Sequence, residues 1–144
     1  MAPSATSSHQ WPKSVTEAFQ KAKAAREKAH APYSRFKVGA AIKFQGSRRV
    51  FVGCNVENSS FGATSCAERT ALFSGIAELG ATPVDFIVIV TSQTPLTSPC
   101  GICRQALVEF ASDETPVYLA DLKGIKERHL LGELLPKAFR TFKA

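Results

Sequence analysis

Apolar positions recur at helical spacing from Lys13 to about Ala31, where Val15, Phe19, Ala22 and Ala29 share a face and charged residues fill the gaps. Pro32 ends that pattern, because its ring pushes the preceding residue out of the α region. The spacing then changes. Residues Phe36 to Phe44 read as a strand, Gln45-Gly46-Ser47 as a turn, and Arg49 to about Asn55 as a second strand, so the pair predicts a hairpin.

Beyond a loop containing Gly62, the stretch from Cys66 to about Leu79 is rich in Ala, Leu, Glu and Arg, with Gly80 as its stop, and predicts a helix. Val84 to Thr91 is a β-branched run short enough for a buried strand. Turn-forming residues from Ser92 to Pro99 lead into a further helix over Cys100–Ala111. Pro116 to Ala120 predicts another strand, and Leu130–Leu135 a short helix closed by Pro136. Strands alternating with helices imply a three-layer α/β/α domain with a mixed central sheet. Residues 1–12, MAPSATSSHQWP, read as a flexible tail, which leaves 13–144 as one domain without internal repeats.

Length agrees with that division, since 144 residues suffice for a single core without a disulfide scaffold. The longest apolar run, Phe86 to Val90, is far below the ~18 residues of a membrane span. Met1 to Gln10 has no hydrophobic core, so no secretory signal is read there and a cytoplasmic location is expected. Eighteen Lys and Arg against 12 Asp and Glu leave a net charge of +6. That balance permits binding to nucleic acid, yet the basic residues are scattered as on an ordinary solvated surface.

The chemistry lies in the cysteines. Four of them, without a secretory signal, favour a metal site or a reactive thiol over disulfides. Cys66-Ala67-Glu68 and Pro99-Cys100-Gly101-Ile102-Cys103 each fall at a predicted helix start, where unpaired N–H groups and the helix dipole favour thiolates. Cys100 and Cys103 are three residues apart, so both sulfurs can face one point on the first helical turn. If Cys66 meets them there, three thiolates can hold Zn²⁺ and leave a fourth position open, the layout of a catalytic site. Glu68 then stands near the metal without ligating it, suited to moving protons. Arg69 and Arg104, each following a motif, could offset the excess negative charge by hydrogen bonds to sulfur. Two other readings stay open: a closed structural site with Cys54 as fourth ligand, and a redox C-x-x-C. Cys54 itself reads as a buried free thiol at a strand end.

A C-x-E motif followed by P-C-x-x-C is a known deaminase signature. Here it is joined, in order, by Ser34-Arg35-Phe36-Lys37-Val38-Gly39-Ala40-Ala41, Cys54-Asn55-Val56-Glu57-Asn58 and Glu133-Leu134-Leu135-Pro136. Over roughly residues 30–142 the chain resembles the small homotetrameric cytidine deaminases of pyrimidine salvage, in their three-cysteine branch. The resemblance implies hydrolytic deamination of cytidine and 2′-deoxycytidine, with one zinc per subunit on Cys66, Cys100 and Cys103. It makes Glu68 the proton shuttle, Asn55 and Glu57 the residues that grip the ribose hydroxyls, and the backbone near Ala67 and Cys100 a support for the reacting ring. Phe36 resembles the aromatic that packs on the nucleoside, and Phe139 the one that reaches a neighbouring subunit's site. Phe61 departs from the pattern, standing where a Tyr is expected, and loses a hydrogen bond at the subunit boundary.

The bare residues agree in part. Alternation along a strand puts Asn55 and Glu57 on one face, where they could hold one sugar. A deaminase of RNA or single-stranded DNA would share the metal site, but a polymer would obstruct a ribose grip. An aminonucleoside deaminase of the blasticidin type is a closer alternative, and a non-catalytic Cys₄ zinc module a more distant one.

Overall fold

A computed structural model describes residues 11–140. Helix α1 (Lys13–Arg26) is followed by the hairpin strands β1 (Gly39–Phe44) and β2 (Val50–Cys54), then α2 (Ala67–Leu79) and β3 (Val84–Val90). The chain continues through α3 (Gly101–Val108), β4 (Pro116–Ala120), β5 (Ile125–Leu130) and the single turn α4 (Leu131–Leu134). The sheet order is β2-β1-β3-β4-β5. Only β3 and β4 run parallel; the other neighbours are antiparallel, so the sheet is mixed as expected.

Alternation on the central strands divides the core into two layers. Ile42 pairs with Ile87, and Ile87 with Val117, and these join α2 and α3 on one face through Leu72 and Leu107. One residue along, Ala41 pairs with Val88 and Val88 with Tyr118, and these pack against Val15, Phe19 and Ala22 of α1 on the other. The three layers are therefore α1, the sheet, and α2 with α3.

Gly53 sets how closely α2 lies on β2. A Cβ there would stand 2.5 Å from the Ala67 carbonyl oxygen and 2.5 Å from the Ala71 nitrogen, so no larger residue allows this approach. The contact brings the first turn of α2 down onto the sheet.

Several boundaries differ from the sequence expectation. The first helix stops at Arg26, short of Ala31, and Lys28 and Ala29 continue only as turns. The first strand starts at Gly39: before it the Asn55 side chain takes the Val38 N–H and the Phe36 carbonyl, and the backbone adds a bond from the Asn55 N–H to the Val38 carbonyl at 3.3 Å. Strand β5 is absent from the expectation altogether. Its sequence, Ile-Lys-Glu-Arg-His-Leu, carries the charges of an edge strand and so lacks a clean apolar alternation. The link to it is a side-chain turn in which Asp121 Oδ1 accepts from the N–H of Lys123 at 2.8 Å and of Gly124 at 3.1 Å.

The expected tail, residues 1–12, also needs correction at its end. Residues 1–10 lie outside the described residues. Trp11 packs edge-on against Tyr118 at 5.4 Å, and its indole N–H donates to the Ile125 carbonyl at 3.3 Å, so it belongs to the folded body. Among the described residues, no helix is long and apolar enough to cross a membrane.

Candidate active site

Cys66 is the N-cap of α2 and Cys100 the N-cap of α3. Both take an extended backbone, and at Cys100 the sulfur turns back onto the first turn, where its Sγ accepts from the Cys103 N–H at 3.5 Å, whereas the Cys66 sulfur makes no such cap bond. The sulfurs of Cys66, Cys100 and Cys103 all lie within 4.8 Å of one another. Those of Cys66 and Cys100 are 3.9 Å apart. Three ligands at ~2.3 Å on tetrahedral corners stand ~3.8 Å apart, so the spacing fits zinc, and soft thiolates are the donor set zinc prefers.

Cys54 is not part of this cluster. It lies half-buried at the end of β2, beside a separate groove of about 530 Å³ that includes Lys21 and Arg49. The closed four-cysteine reading therefore fails, and Cys54 is less buried than expected. Three thiols from two helix starts also exceed what a redox C-x-x-C requires.

The two arginines separate. Arg69 donates from Nε to Cys103 Sγ at 3.4 Å and from a terminal nitrogen to Cys66 Sγ at 3.3 Å. Arg104 does not touch sulfur. Its guanidinium donates to the carbonyls of Pro99 at 2.6 Å and Leu134 at 2.5 Å and to Ser98 Oγ at 2.7 Å, bracing the loop before α3 against α4. The expectation that Arg104 would neutralise the thiolates is thus corrected. It lies one residue past Cys103, and the helix turns it toward the C-terminal segment.

The cluster shares its protons unevenly. A hydrogen bond from the Cys103 thiol, helped by Arg69, lowers the Cys66 thiol to about 5 against the opposing effect of burial. Cys103 shifts upward for the complementary reason, as the donor in that hydrogen bond and as a buried group. Glu68, 5% exposed, lies with a carboxylate oxygen 3.9 Å from Cys103 Sγ. Burial raises its carboxyl to about 7, and the nearby Cys66 sulfur pushes the same way.

These groups border a cavity of about 270 Å³. Cys66, Ala67, Glu68 and Cys100 line it, and so do Phe36, Asn55 and Glu57. Asn55 and Glu57 are both buried and already engaged. Asn55 Oδ1 accepts from the Val38 N–H at 2.8 Å, and Nδ2 donates to the Phe36 carbonyl at 2.7 Å, which locks Phe36 in place. Glu57 Oε1 accepts from the N–H groups of Tyr33 at 3.0 Å and Ser34 at 3.1 Å, while Oε2 accepts from the Ser34 hydroxyl. The Ser34 hydroxyl, followed by these backbone N–H groups, holds the Glu57 carboxyl below its ordinary value. Ser34 is thus a site residue that its place in the Ser34-Arg35-Phe36 run could have revealed.

Phe139 does not line the cavity. It is 56% exposed, and its carbonyl accepts from Gln105 Nε2 at 2.7 Å. Phe61, in the left-handed region with φ of 59°, is also exposed and stacks edge-on against Tyr33 at 4.9 Å.

Comparison with known proteins agrees with this geometry. The family model described as the cytidine and deoxycytidylate deaminase zinc-binding region matches residues 12–119. A cytidine deaminase of Sporosarcina psychrophila is 42% identical over 125 residues, covering 87% of this chain and 90% of that protein. One from Halalkalibacterium halodurans is 44% identical over the same shares. The crystal structure of cytidine deaminase from Burkholderia pseudomallei superposes with a TM-score of 0.79 at 46% identity, covering 85% of this chain and 97% of that one. With three cysteines gathered from two helix starts beside a buried glutamate, the chain belongs to the zinc-binding cytidine and deoxycytidylate deaminase family.

Proposed function

We propose that the chain hydrolyses cytidine and 2′-deoxycytidine to uridine and 2′-deoxyuridine, taking up one water and releasing ammonia, in pyrimidine salvage. The observation that carries this is the buried Glu68 carboxyl beside three clustered thiols, in a cavity that also holds Asn55 and Glu57. Zinc on Cys66, Cys100 and Cys103 supplies the Lewis acidity that activates water near neutral pH. Arg69 moderates the charge of the thiolates, so that they do not quench that acidity.

Glu68 moves the protons. Burial favours the neutral form of its carboxyl, so it can accept a proton from the attacking water and give it up again. It passes the first to ring N3 as the water oxygen bonds to C4, then carries the remaining proton of that water from the new C4 hydroxyl to the 4-amino nitrogen, and the C4–N bond breaks to release ammonia. Asn55 and Glu57 orient the sugar and thereby C4. Asn55 keeps one Nδ2 hydrogen and one Oδ1 lone pair for a hydroxyl after its two backbone bonds, and Glu57 keeps acceptor capacity on Oε2. Phe36 packs on the nucleoside and the backbone near Ala67 faces the reacting ring.

A cytoplasmic homotetramer completes the reading, with Phe139 reaching a neighbouring subunit's cavity. A cavity of about 270 Å³ suits a free nucleoside better than a polymer. The test follows the fall in ultraviolet absorbance as cytidine becomes uridine, with Glu68→Ala run beside the unsubstituted protein. Turnover by the unsubstituted protein alone supports the reading. Absence of turnover on cytidine and deoxycytidine with zinc bound overturns it and directs the search to modified nucleosides, then single-stranded RNA.

A further inference from the structure

Thr91 follows β3 directly and extends its alternation, so its side chain falls on the same face as Ile87 and Ile89, toward α2 and α3. Its N–H is used, donating to the Ala120 carbonyl at 3.1 Å. Its hydroxyl is not. Thr91 is 1% exposed, and among the described residues its Oγ1 is the buried side-chain polar atom without a hydrogen-bond partner. Thr91 also lines the same cavity as Glu68 and Asn55.

An unpaired buried hydroxyl is costly, and in a folded protein it calls for an explanation. Here the cost falls at the one wall of the cavity that belongs to the sheet, alongside apolar Ile89. We propose that Thr91 Oγ1 is a positioning group for the substrate, hydrogen-bonding the pyrimidine base when it enters and having no protein partner among the described residues. The inference rests on the nucleoside reading of this cavity and adds a contact with the base to those with the sugar. Threonine fits such a role, since its β-branch restricts rotation about χ1 and its hydroxyl can donate or accept. Because the bond is to bound ligand in ground and transition states alike, it acts on affinity rather than on the chemical step.

Thr91→Val replaces the hydroxyl by a methyl of nearly the same shape, and Thr91→Ser keeps the hydroxyl. Zinc content, thermal unfolding without ligand, steady-state kinetics with cytidine and inhibition by uridine are measured for both and for the unsubstituted protein. The expected result is a Thr91→Val protein with full zinc and a melting temperature equal or higher, since no bond is lost. Its KM for cytidine and its inhibition constant for uridine rise together by roughly ten-fold or more, with kcat close to normal. Thr91→Ser is expected within about three-fold of the unsubstituted protein, as one neutral hydrogen bond is retained.

Three results would overturn the inference while leaving the deaminase reading intact. One is unchanged KM and inhibition in Thr91→Val. Another is a lowered melting temperature with unchanged KM, which assigns the hydroxyl to the fold. The third is an equal loss in Thr91→Ser, which assigns the effect to shape. Failure of the unsubstituted, zinc-loaded protein to turn over or bind pyrimidine nucleosides overturns both readings.

Discussion

The guanidinium of Arg69 lies 3.4 Å from Cys103 Sγ and, through its other arm, 3.3 Å from Cys66 Sγ, so one side chain bridges thiols from two helix starts. Arg69 sits three residues after the N-cap Cys66, which places both on one face of the first turn. A third bond, to the Thr64 carbonyl at 3.3 Å, fixes its plane. Replacing Arg69 by Gln is expected to lower zinc affinity or turnover by roughly 10–100-fold, as the loss of groups supporting metal ligands does elsewhere. Lys at this position is expected to rescue poorly, because a single ammonium cannot reproduce the two-armed contact. Competition with a zinc chelator, read beside kcat, checks both; unchanged values in Arg69→Gln would remove the residue from this role.

Glu68→Gln keeps the size of the side chain and removes its ability to accept a proton. The variant is expected to retain one zinc per subunit and to lose roughly 10²–10⁴-fold in kcat. Metal content by elemental analysis and single-turnover kinetics separate the two quantities. Activity within a few-fold of normal would show that proton movement does not pass through Glu68.

Glu57 gives a pH signature with a definite sign. Its carboxyl is held below the ordinary value, first by the Ser34 hydroxyl, so its contacts are strongest in the ionised form. Their contribution is present above the unfolded pKa of ~4.3 and is lost as pH falls through the lower folded value. The melting temperature of Glu57→Gln should therefore lie below normal at pH 7, and the gap should close in acid below about pH 4. A gap that stays constant with pH would contradict this assignment.

Gly53→Ala probes the approach of α2 to the sheet. The added Cβ meets backbone atoms of Ala67 and Ala71 at 2.5 Å, and backbone cannot swing aside as a flexible side chain can. A loss of about 1–3 kcal/mol in denaturant unfolding is expected, as for overpacked cores. Zinc affinity should fall too, because Cys66 rides on the displaced helix start. Normal stability would mean that the two elements separate freely.

Metal removal should cost activity before it costs the fold. Two apolar layers on the sheet, centred on residues such as Ile42, Leu72, Val88 and Phe19, hold the domain without passing through the thiols. Far-ultraviolet circular dichroism is expected to persist in chelator while turnover disappears and then returns with added zinc. Unfolding in step with metal loss would instead mark a structural zinc.

What could be read from the sequence alone follows from short-range rules. The run Phe86 to Val90 is apolar because both faces of a central strand are buried there, and that holds whatever surrounds it. The three thiols and Glu68 could be singled out because each sits in a short motif whose spacing already limits where its side chains point. Other features depended on neighbours far along the chain. Arg69 and Arg104 follow their motifs alike, yet only the packing of α3 beside α4 draws Arg104 to the Leu134 carbonyl. Strand β5 is made by pairing with β4, and its own charged residues give no alternation to read. Trp11 joins the body only because Tyr118 and Ile125, more than a hundred residues later, offer a ring and a carbonyl. Thr91 is in sequence merely a β-branched residue ending a strand. Whether its hydroxyl finds a partner is decided by which atoms the tertiary fold leaves within reach, and its burial without one, in a residue that lines the cavity, is what the proposed contact with the base rests on.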